Sequence, residues 1–501
     1  MSDRGTHIDC DVLVVGAGPT GLTLGLLLAQ RGVSVIVAER EQSYYSLPRA
    51  AHIDHQTVRI FQDLGLAARI LTACRQPARY DFLSASGEVL MRIDGLDRVA
   101  SGGWPAANAI HQPDLELALR EAVQEQKLID LRSGWRFTAL RDKRDHVAAT
   151  FETVHGPEVL RARHVIGADG ARSAVREAIG VGMEDLGFDE SWLIVDTIVL
   201  DRARLPDINL QICDPRRPTT CVVMGAGRHR WEFMVKPGES PETLLDDKTV
   251  AAFLEPWNVA GAVEIERKVV YRFGAKIAKQ WRKGAVLLAG DAAHQTPPFA
   301  GQGLCSGVRD AANLAWKLLA TLRNGAPETL LDTYQVEREP HARATINLAI
   351  LMGKMVCVTD REAAALRDQQ LLADKAAGPT HSAGATMFPD IDAGYILEGS
   401  VGAGSYFPQP VVNGLRLDDV LGPGAWLIAR QPHQHHAERA LRTITLDDPA
   451  IADFAPALAE WLDARNAVAV LVRPDRYVYG VGLPQQLMAA YRGRGETRRQ
   501  P

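Results

Sequence analysis

The feature that most constrains this chain is a glycine motif between an apolar strand and an apolar helix near the start of the sequence. The segments follow in the order strand 10–15 (CDVLVV), glycine motif 16–21 (GAGPTG), helix 22–31, Gly32, strand 33–38 and Glu39. A GxGxxG match alone is weak evidence. With both strands, the helix and an acidic residue roughly 20 positions further on, it predicts a dinucleotide-binding βαβ unit. We therefore expect an α/β fold with a Rossmann-like domain.

Each residue of this unit has a physical role if a dinucleotide binds. Gly16 makes the tight turn, Gly18 lets a pyrophosphate approach the backbone, and Gly21 lets the helix pack on the strand. Glu39 can accept hydrogen bonds from the adenosine ribose. The alternative is a βαβ unit that binds no nucleotide.

The glycine motif does not distinguish NAD from FAD, but three later segments favour FAD. They are Arg40 with 48–50 (PRA), 111–116 (HQPDLE) and 165–176 (VIGADGARSAVR). We expect Arg49 to approach the cofactor phosphate or ribityl chain. Gln112 and Asp169 are the further cofactor-binding candidates in these segments.

A fourth segment, 287–318, passes from a buried strand through a proline turn into a helix. Asp291 at the strand end can accept hydrogen bonds from ribityl hydroxyls, and Pro298 stiffens the turn. Gly301 and Gly303 let the backbone approach a flat ring. A helix N-terminus favours the negative charge of a reduced flavin. The amides expected there are those of Gly303, Leu304 and Cys305. The alternative is a proline-rich loop.

Composition removes several classes of function. The 501 residues include 56 basic and 61 acidic ones, a formal charge of −5, which gives no electrostatic argument for nucleic acid. The six cysteines are scattered, so neither a disulfide framework nor a metal site is indicated. Histidines 433, 435 and 436 lie in a polar stretch and are expected to be solvated. Without a signal-peptide pattern or a run long enough for a bilayer, we expect a cytoplasmic protein.

The segments GAGPTG, GADGARSAVR and GDAAHQTPPFAGQG resemble those of class A FAD-dependent aromatic hydroxylases, which have the para-hydroxybenzoate hydroxylase fold. Among these, 213–218 (CDPRRP) and 231–239 (WEFMVKPGE) are most similar to the 3-(3-hydroxyphenyl)propionate hydroxylases. His52, His55 and Phe299-Ala300 depart from that pattern. These departures leave the reaction type intact and the substrate open.

The resemblance implies an NAD(P)H- and O₂-dependent monooxygenase that hydroxylates a phenolic ring through a flavin C4a-hydroperoxide. The implied substrate is 3-(3-hydroxyphenyl)propionate or a related phenolic acid of aromatic catabolism. One alternative is a tailoring hydroxylase of a polycyclic or polyketide phenol. Another is a flavin-binding reductase or sensor that does not oxygenate. Since no second glycine-rich βαβ unit is present, the nicotinamide cofactor is expected to dock transiently.

A base near the phenol is expected, because phenolate is attacked more easily than phenol. His52 is the first candidate and Tyr271 the second; each could instead be structural. Candidate pocket residues, which could equally be core residues, are Met224, Trp231, Phe233 and Phe299. A substrate carboxylate would need an arginine, and the sequence does not choose among Arg216, Arg217, Arg228 and Arg230. For His294 we expect the backbone to matter more than the imidazole.

Three domains are predicted. A discontinuous FAD-binding domain covers 1–184 and 272–355. Short alternating strands indicate a mixed β-sheet substrate domain at 185–271, with part of 76–108. Residues 405–495 resemble a C-terminal thioredoxin-like domain. It has no redox cysteines, because the last cysteine is Cys357. Its expected role is structural or oligomeric, and a homodimer is one expectation.

Overall fold

The computed structural model describes residues 7–43, 49–143, 145–378, 389–432 and 441–493. Within it, the glycine motif belongs to a mixed sheet of eight strands. The strands are β1 Cys10–Val15, β2 Val35–Glu39, β7 Ile129–Ser133, β8 Arg136–Asp142, β9 Val147–Thr153, β10 Gly156–Gly167, β16 Arg282–Lys283 and β17 Val286–Leu288. β1 lies between β2 and β10 and is parallel to both, as in a Rossmann-like unit. Pro48 and the three expected loop histidines, His433, His435 and His436, lie outside the described residues.

A second sheet of eight strands is mostly antiparallel. Its strands are β4 Arg79–Leu83, β5 Val89–Asp94, β11 Met183–Val199, β12 Asn209–Ile212, β13 Thr219–Val223, β14 Arg228–Met234, β15 Val263–Ala278 and β18 His294–Gln295. β4 and β5 join it from the 76–108 segment. The domain boundaries predicted at 185 and 271 fall inside the two longest strands, β11 and β15.

The two faces of this second sheet pack against different parts of the chain. The face bearing Trp192 and Ile194 is the inner face. It packs with Phe299 and with the C-terminal end of the helix at residues 333–356. The face bearing Leu193 and Val195, the outer face, is covered by side chains of segments 241–244 and 247–254. Both faces are therefore largely apolar.

Helices surround the sheets. They are α1 Pro19–Ala29, α2 His55–Asp63, α3 Ala67–Thr72, α4 Gln112–Gln124, α5 Ala174–Ala178, α6 Pro241–Leu244, α7 Asp247–Leu254, α8 Gly303–Arg323, α9 Thr333–Val356, α10 Arg361–Ala376, α11 Leu417–Leu421, α12 Ala455–Asp463 and α13 Pro484–Gly493. α8 packs against α1, α2 and α9. Among the described helices, none is long and apolar enough by itself to cross a membrane; the bent pair 328–356 and 361–376 meets the criteria only together.

The C-terminal region forms a separate mixed sheet with the strand order β22-β21-β23-β24. The strands are β21 Ala425–Ala429, β22 Leu441–Thr445, β23 Ala469–Val472 and β24 Val478–Val481. β21 is parallel to β22 and antiparallel to β23, and α12 connects β22 to β23. This topology is compatible with the predicted thioredoxin-like domain. Two short antiparallel pairs are the remaining strands of the described residues: β3 His52–Asp54 with β6 Ala107–Ala109, and β19 Val411–Val412 with β20 Leu415–Arg416.

Buried charges join the C-terminal domain to the rest of the molecule. The Glu337 carboxylate on α9 is fully buried and lies 2.6 Å from Arg473 and 2.9 Å from Lys317 of α8. Burial alone would raise the pKa of Glu337. Arg473 and Lys317 outweigh that effect and lower the pKa from 4.5 to about 2. Glu337 therefore stabilises the folded state in its charged form.

We expect Glu337→Gln to lower the free energy of unfolding at pH 7 by about 3 kcal/mol, because it leaves the buried Lys317 without its ion-pair partner and Arg473 with Asp475 alone. The wild-type advantage is present above pH 4.5 and is lost as pH falls towards 2, where the native carboxylate is protonated. Urea unfolding at pH 7 and pH 3 measures this difference. Glu264→Gln, at an exposed position, is the matched control. An equal loss at both pH values would contradict the charge argument.

Candidate active site

The three glycines of the motif meet different surroundings. Gly16 has φ +106°, and a Cβ there would lie 2.4 Å from the Ala168 carbonyl oxygen. A Cβ on Gly21 would lie 2.1 Å from the Gly16 carbonyl oxygen. A Cβ on Gly18 would meet nothing within 4 Å, and Gly18 begins α1 without a side-chain cap. Packing thus requires the outer two glycines, while the middle one leaves space at a helix N-terminus where a phosphate fits.

Glu39 holds the glycine turn. Its carboxylate accepts hydrogen bonds from the backbone amides of Ala17 (2.8 Å) and Glu41 (3.0 Å). Each oxygen keeps a lone pair that a ribose hydroxyl could use. Arg40, expected at the cofactor, is exposed and ion-paired with Glu41.

Gln112 holds the segment 49–50, which carries Arg49. Its side-chain oxygen accepts from the Ala50 amide at 2.6 Å, and its nitrogen donates to Glu116 at 2.6 Å. The charge of Arg49 acts on both Glu116 and Asp291, whose pKa values it lowers against the raising effect of burial. Segment 49–50 and Asp291, both predicted to bind the cofactor, therefore lie at one cleft.

The Asp291 side chain opens to this cleft from the single-turn segment Gly290–Ala292. Protein packed around the carboxyl raises its pKa, while His294 and Arg49 oppose that shift. None of the hydrogen bonds among the described residues uses the Asp291 carboxylate. Both oxygens can therefore accept from the hydroxyls of a ligand.

Asp169 is engaged within its own loop. It accepts hydrogen bonds from the Ser173 hydroxyl (2.5 Å) and the Val175 amide (3.1 Å) at the start of α5. Arg176, in the same helix, donates to the Ala292 carbonyl at 3.0 Å. Asp169 thus organises a loop that is tied directly to the Asp291 turn.

Within the described part of the chain, the first amides of α8 have no hydrogen-bond acceptor. Pro298 begins a short 3-10 turn that ends at Gly301, whose φ of +64° suits glycine. Gln302 precedes the helix, but its side-chain oxygen accepts from Arg309 at 2.7 Å and does not cap α8. The amides of the first turn, Gly303, Leu304 and Cys305, therefore point to a site that favours an anion.

Sequence reasoning assigned no role to two adjacent charged residues of α8, Arg309 and Asp310. Arg309 lies 2.6 Å from Asp54, and Asp310 lies 2.9 Å from Arg338 of α9. Asp310 also accepts from the Gly290 amide at 3.0 Å. Two opposite charges side by side in a largely apolar helix were the signal available in the sequence.

Both the backbone and the imidazole of His294 are engaged. Its backbone pairs with Ile277 of β15, as a backbone role would require. Its imidazole, however, is fully buried and lies 2.6 Å from Asp310. The ring is therefore one of the anchors of the Asp291 turn, because a buried carboxylate needs hydrogen-bond partners.

His52 lies beside the flavin loop predicted from the sequence. Its Nδ1 is 3.2 Å from the Gly301 carbonyl oxygen. A carbonyl only accepts, so Nδ1 carries the proton and Nε2 is left as an acceptor. Burial lowers the pKa of His52, although the Asp54 charge opposes the shift. The result is a neutral imidazole whose Nε2 can accept a hydrogen bond.

Aromatic side chains face the same region from the inner face of the second sheet. The Phe299 ring lies 5.7 Å from the rings of Trp192 and Phe188. Tyr271 is directly opposite Trp192 in the strand register. Arg267 donates a hydrogen bond to the Tyr271 hydroxyl and stacks on its ring. Phe299 and Tyr271 are therefore brought together on one wall.

Two predicted pocket residues are on the wrong side. Trp231 and Phe233 pair with Val195 and Leu193 and are buried on the outer face under α6 and α7. Side chains alternate along a strand, so they cannot face Phe299. The prediction that they line the ring pocket is wrong. Met224 is fully buried just beyond β13, beside a glycine packed on the Ala73 carbonyl.

The four candidate arginines all have carboxylate partners within the chain. They are Arg216 with Asp214, Arg217 with Glu239, Arg228 with Glu266 and Arg230 with Asp196. Arg230 is buried on the inner face and donates to the Arg49 carbonyl at 2.8 Å. Arg230 therefore connects the second sheet to segment 49–50.

Comparison with known proteins agrees with this geometry. A family model described as FAD binding domain matches residues 9–349, and one described as HcaD C-terminal domain matches 429–493. The chain is 36% identical to a probable NADH-specific resorcinol 4-hydroxylase of Rhodococcus jostii (strain RHA1), covering 96% of this chain and 95% of the relative. It is 34% identical to a 3-(3-hydroxy-phenyl)propionate/3-hydroxycinnamic acid hydroxylase of Mycolicibacterium gilvum (strain PYR-GCK), covering 95% and 90%.

Among solved structures, the flavin-dependent monooxygenase PieE, in complex with FAD and substrate, has a TM-score of 0.81 at 23% identity, covering 97% of this chain and all of that one. The chain belongs to the FAD binding domain family and, within it, to the FAD-dependent aromatic hydroxylases. It is a phenol-ring monooxygenase that uses FAD, a reduced nicotinamide cofactor and O₂. The family resemblance read from the sequence is confirmed.

Gly353 of α9 sets the position of Phe299. A Cβ there would lie 2.7 Å from the Phe188 ring and 2.9 Å from the Phe299 ring. We expect Gly353→Ala to displace Phe299 and lower kcat/KM for the phenol about tenfold. Flavin content should stay unchanged. Steady-state kinetics measures the effect.

Gly182→Ala is the matched control for Gly353→Ala, because a Cβ at Gly182 meets nothing within 4 Å. Unchanged kcat/KM in the Gly353 variant would show that Phe299 does not border the substrate.

Proposed function

We propose that this enzyme hydroxylates a one-ring phenol whose hydroxyl group stands meta to a second substituent. Support comes from the two full-length relatives, whose names give 3-(3-hydroxyphenyl)propionate and resorcinol as substrates. Both compounds have that substitution pattern. The observation that carries the proposal is that His52 contacts the Gly301 carbonyl, in the same turn as Phe299, whose ring packs on Trp192 of the inner face.

The cleft residues fit FAD. Gly18 leaves space for the pyrophosphate, Asp291 would accept from the ribityl chain, and the first amides of α8 would face the negative edge of the reduced ring. Glu39, Arg49 and Gln112 would hold the adenosine and phosphate side. When bound, FAD supplies the redox chemistry with NADH and O₂, and the protein supplies orientation and exclusion of water.

His52 activates the phenol in this proposal. Its Nε2 would accept the hydroxyl proton, while Nδ1 stays bonded to the Gly301 carbonyl and fixes the ring. Tyr271 lies on the inner face, where Arg267 donates to its oxygen and leaves its own proton to donate to the substrate. A hydroxyl held between an acceptor and a donor is oriented as well as activated.

A phenolic acid and a neutral diol differ in one requirement. A carboxylate needs a paired cation when buried, and the inner-face cations Arg230 and Arg267 both lie against Asp196, at 2.6 and 3.7 Å. This arrangement favours resorcinol as a second candidate beside 3-(3-hydroxyphenyl)propionate. 3-Hydroxycinnamate also carries a carboxylate and therefore has the same requirement for a cation as 3-(3-hydroxyphenyl)propionate.

NADH oxidation with each phenol, with the product identified by mass, tests the proposal. The expected result is strong stimulation by 3-(3-hydroxyphenyl)propionate, resorcinol or both, and a product heavier by one oxygen atom. 4-Hydroxyphenylpropionate is the matched control, since only the ring position of the hydroxyl differs. Hydroxylation of a polycyclic phenol alone would contradict the one-ring assignment.

His52→Ala should retain flavin reduction and lower the hydroxylation rate about 100-fold, the usual size of a general-base contribution. Because burial lowers the pKa of His52, wild-type kcat/KM should stay high down to a pH below 6.5 and fall only where the imidazole becomes protonated. The pH profile of His52→Ala should lack this fall of kcat/KM at low pH. A profile identical to wild type would return His52 to a structural role.

We also propose that the enzyme acts in the cytoplasm, where NADH is available to it. The printed name of the Rhodococcus relative supports NADH as the reductant. The homodimer remains a prediction.

A further inference from the structure

The C-terminal domain reaches the middle of α8 through the loop that follows β23. Arg473 and Asp475 of this loop are almost completely buried and lie 2.7 Å apart. Asp475 accepts a hydrogen bond from Asn313 of α8 at 2.9 Å. Asn313 also donates to Glu337 of α9 at 2.7 Å. The loop therefore closes a buried contact between two helices of the flavin domain.

Asn313 belongs to a polar stripe along one face of α8. The stripe consists of buried residues at helical spacing, Ser306, Arg309, Asp310, Asn313 and Lys317. Its middle contacts the C-terminal loop and Glu337. Its N-terminal part holds Asp54, beside His52, and the Gly290 amide, beside Asp291. One rigid helix thus connects the C-terminal domain to both loops of the active site.

We propose that the Arg473–Asp475 loop is a positioning element for hydroxylation, which holds α8 in the register that places its first-turn amides at the flavin site and Arg309 against Asp54. From Asn313 to the first turn is about 15 Å along the helix. A displacement of 1 Å at a reacting centre can cost about 100-fold in rate. The C-terminal domain, which lacks redox cysteines, contributes in this way without touching the substrate.

The inference rests on the hydroxylase activity and is independent of which phenol is the substrate. The test variant is Asp475→Asn, which keeps the shape of the side chain and removes its charge. The matched control is Asp463→Asn, the same change in the same domain, at an exposed residue that pairs with Arg430. Two measurements are made, one without cofactor and one during turnover.

The first measurement is amide hydrogen exchange of the protein without FAD. We expect peptides covering 303–310 to exchange about tenfold faster in Asp475→Asn and at the wild-type rate in Asp463→Asn. The second is product formed per NADH oxidised, with H₂O₂ assayed as the remainder. We expect this ratio to fall at least twofold in Asp475→Asn, with little change in KM.

A purely structural role predicts a different outcome. In that case Asp475→Asn lowers the melting temperature but leaves both the exchange of 303–310 and the product ratio unchanged, and the proposal is overturned. If the variant does not accumulate, Asn313→Ser removes the contact from the helix side and leaves Asp475 paired with Arg473. Because the exchange measurement needs no substrate, a wrong substrate assignment does not affect it.

Discussion

The structure depends on the pairing of adjacent opposite charges inside α8. Arg309 and Asp310 are buried, and a buried charge is tolerated only with a partner and hydrogen bonds. Their charged and histidine partners lie outside α8, Asp54 and His294 at the active site and Arg338 on α9. Asp54 precedes α2 next to His52, and His294 follows the turn of Asp291. The cost of separating these charges therefore fixes the loops relative to one another.

Where the cofactor is expected, by contrast, polar groups of the described residues are left without partners. Gly18 faces open space, Asp291 opens to the cleft, and the first amides of α8 have no side-chain cap. Buried polar groups in folded proteins are nearly always paired. A set of unpaired donors and acceptors that converge on one cleft, next to fully paired neighbours, is what a ligand with both anionic and hydroxyl groups requires.

The sequence was sufficient for the glycine unit because its geometry is local. The spacing from Gly16 to Glu39 lies within one βαβ unit, and β1, α1 and β2 form as predicted. The pocket wall was less predictable. Alternation along β14 separates Trp231 from its neighbours, but it does not say which face meets the flavin. Since α6 and α7 cover the outer face, both faces are apolar and composition cannot distinguish them.

The partners of the charged residues on α8 were equally hard to predict from the sequence. Arg309 and Asp310 stand out in the sequence, yet their partners are far away along the chain, and no spacing rule connects them. Because the C-terminal domain lacks cysteines, the sequence predicts a structural or oligomeric role for it. The contact between Asp475 and Asn313 depends on tertiary packing, so only the structure could suggest a more specific role.

The inner face of the second sheet has a charge balance that bears on the chemistry. Asp196 is shared by Arg230 and Arg267, and the remaining positive charge is offset by Glu232, 3.6 Å from Arg230. Burial raises the pKa of Glu232, as does Asp196, while Arg230 opposes the shift. Proton uptake by Glu232 would therefore leave a net positive charge near Tyr271. Such a charge would stabilise a phenolate bound next to Tyr271.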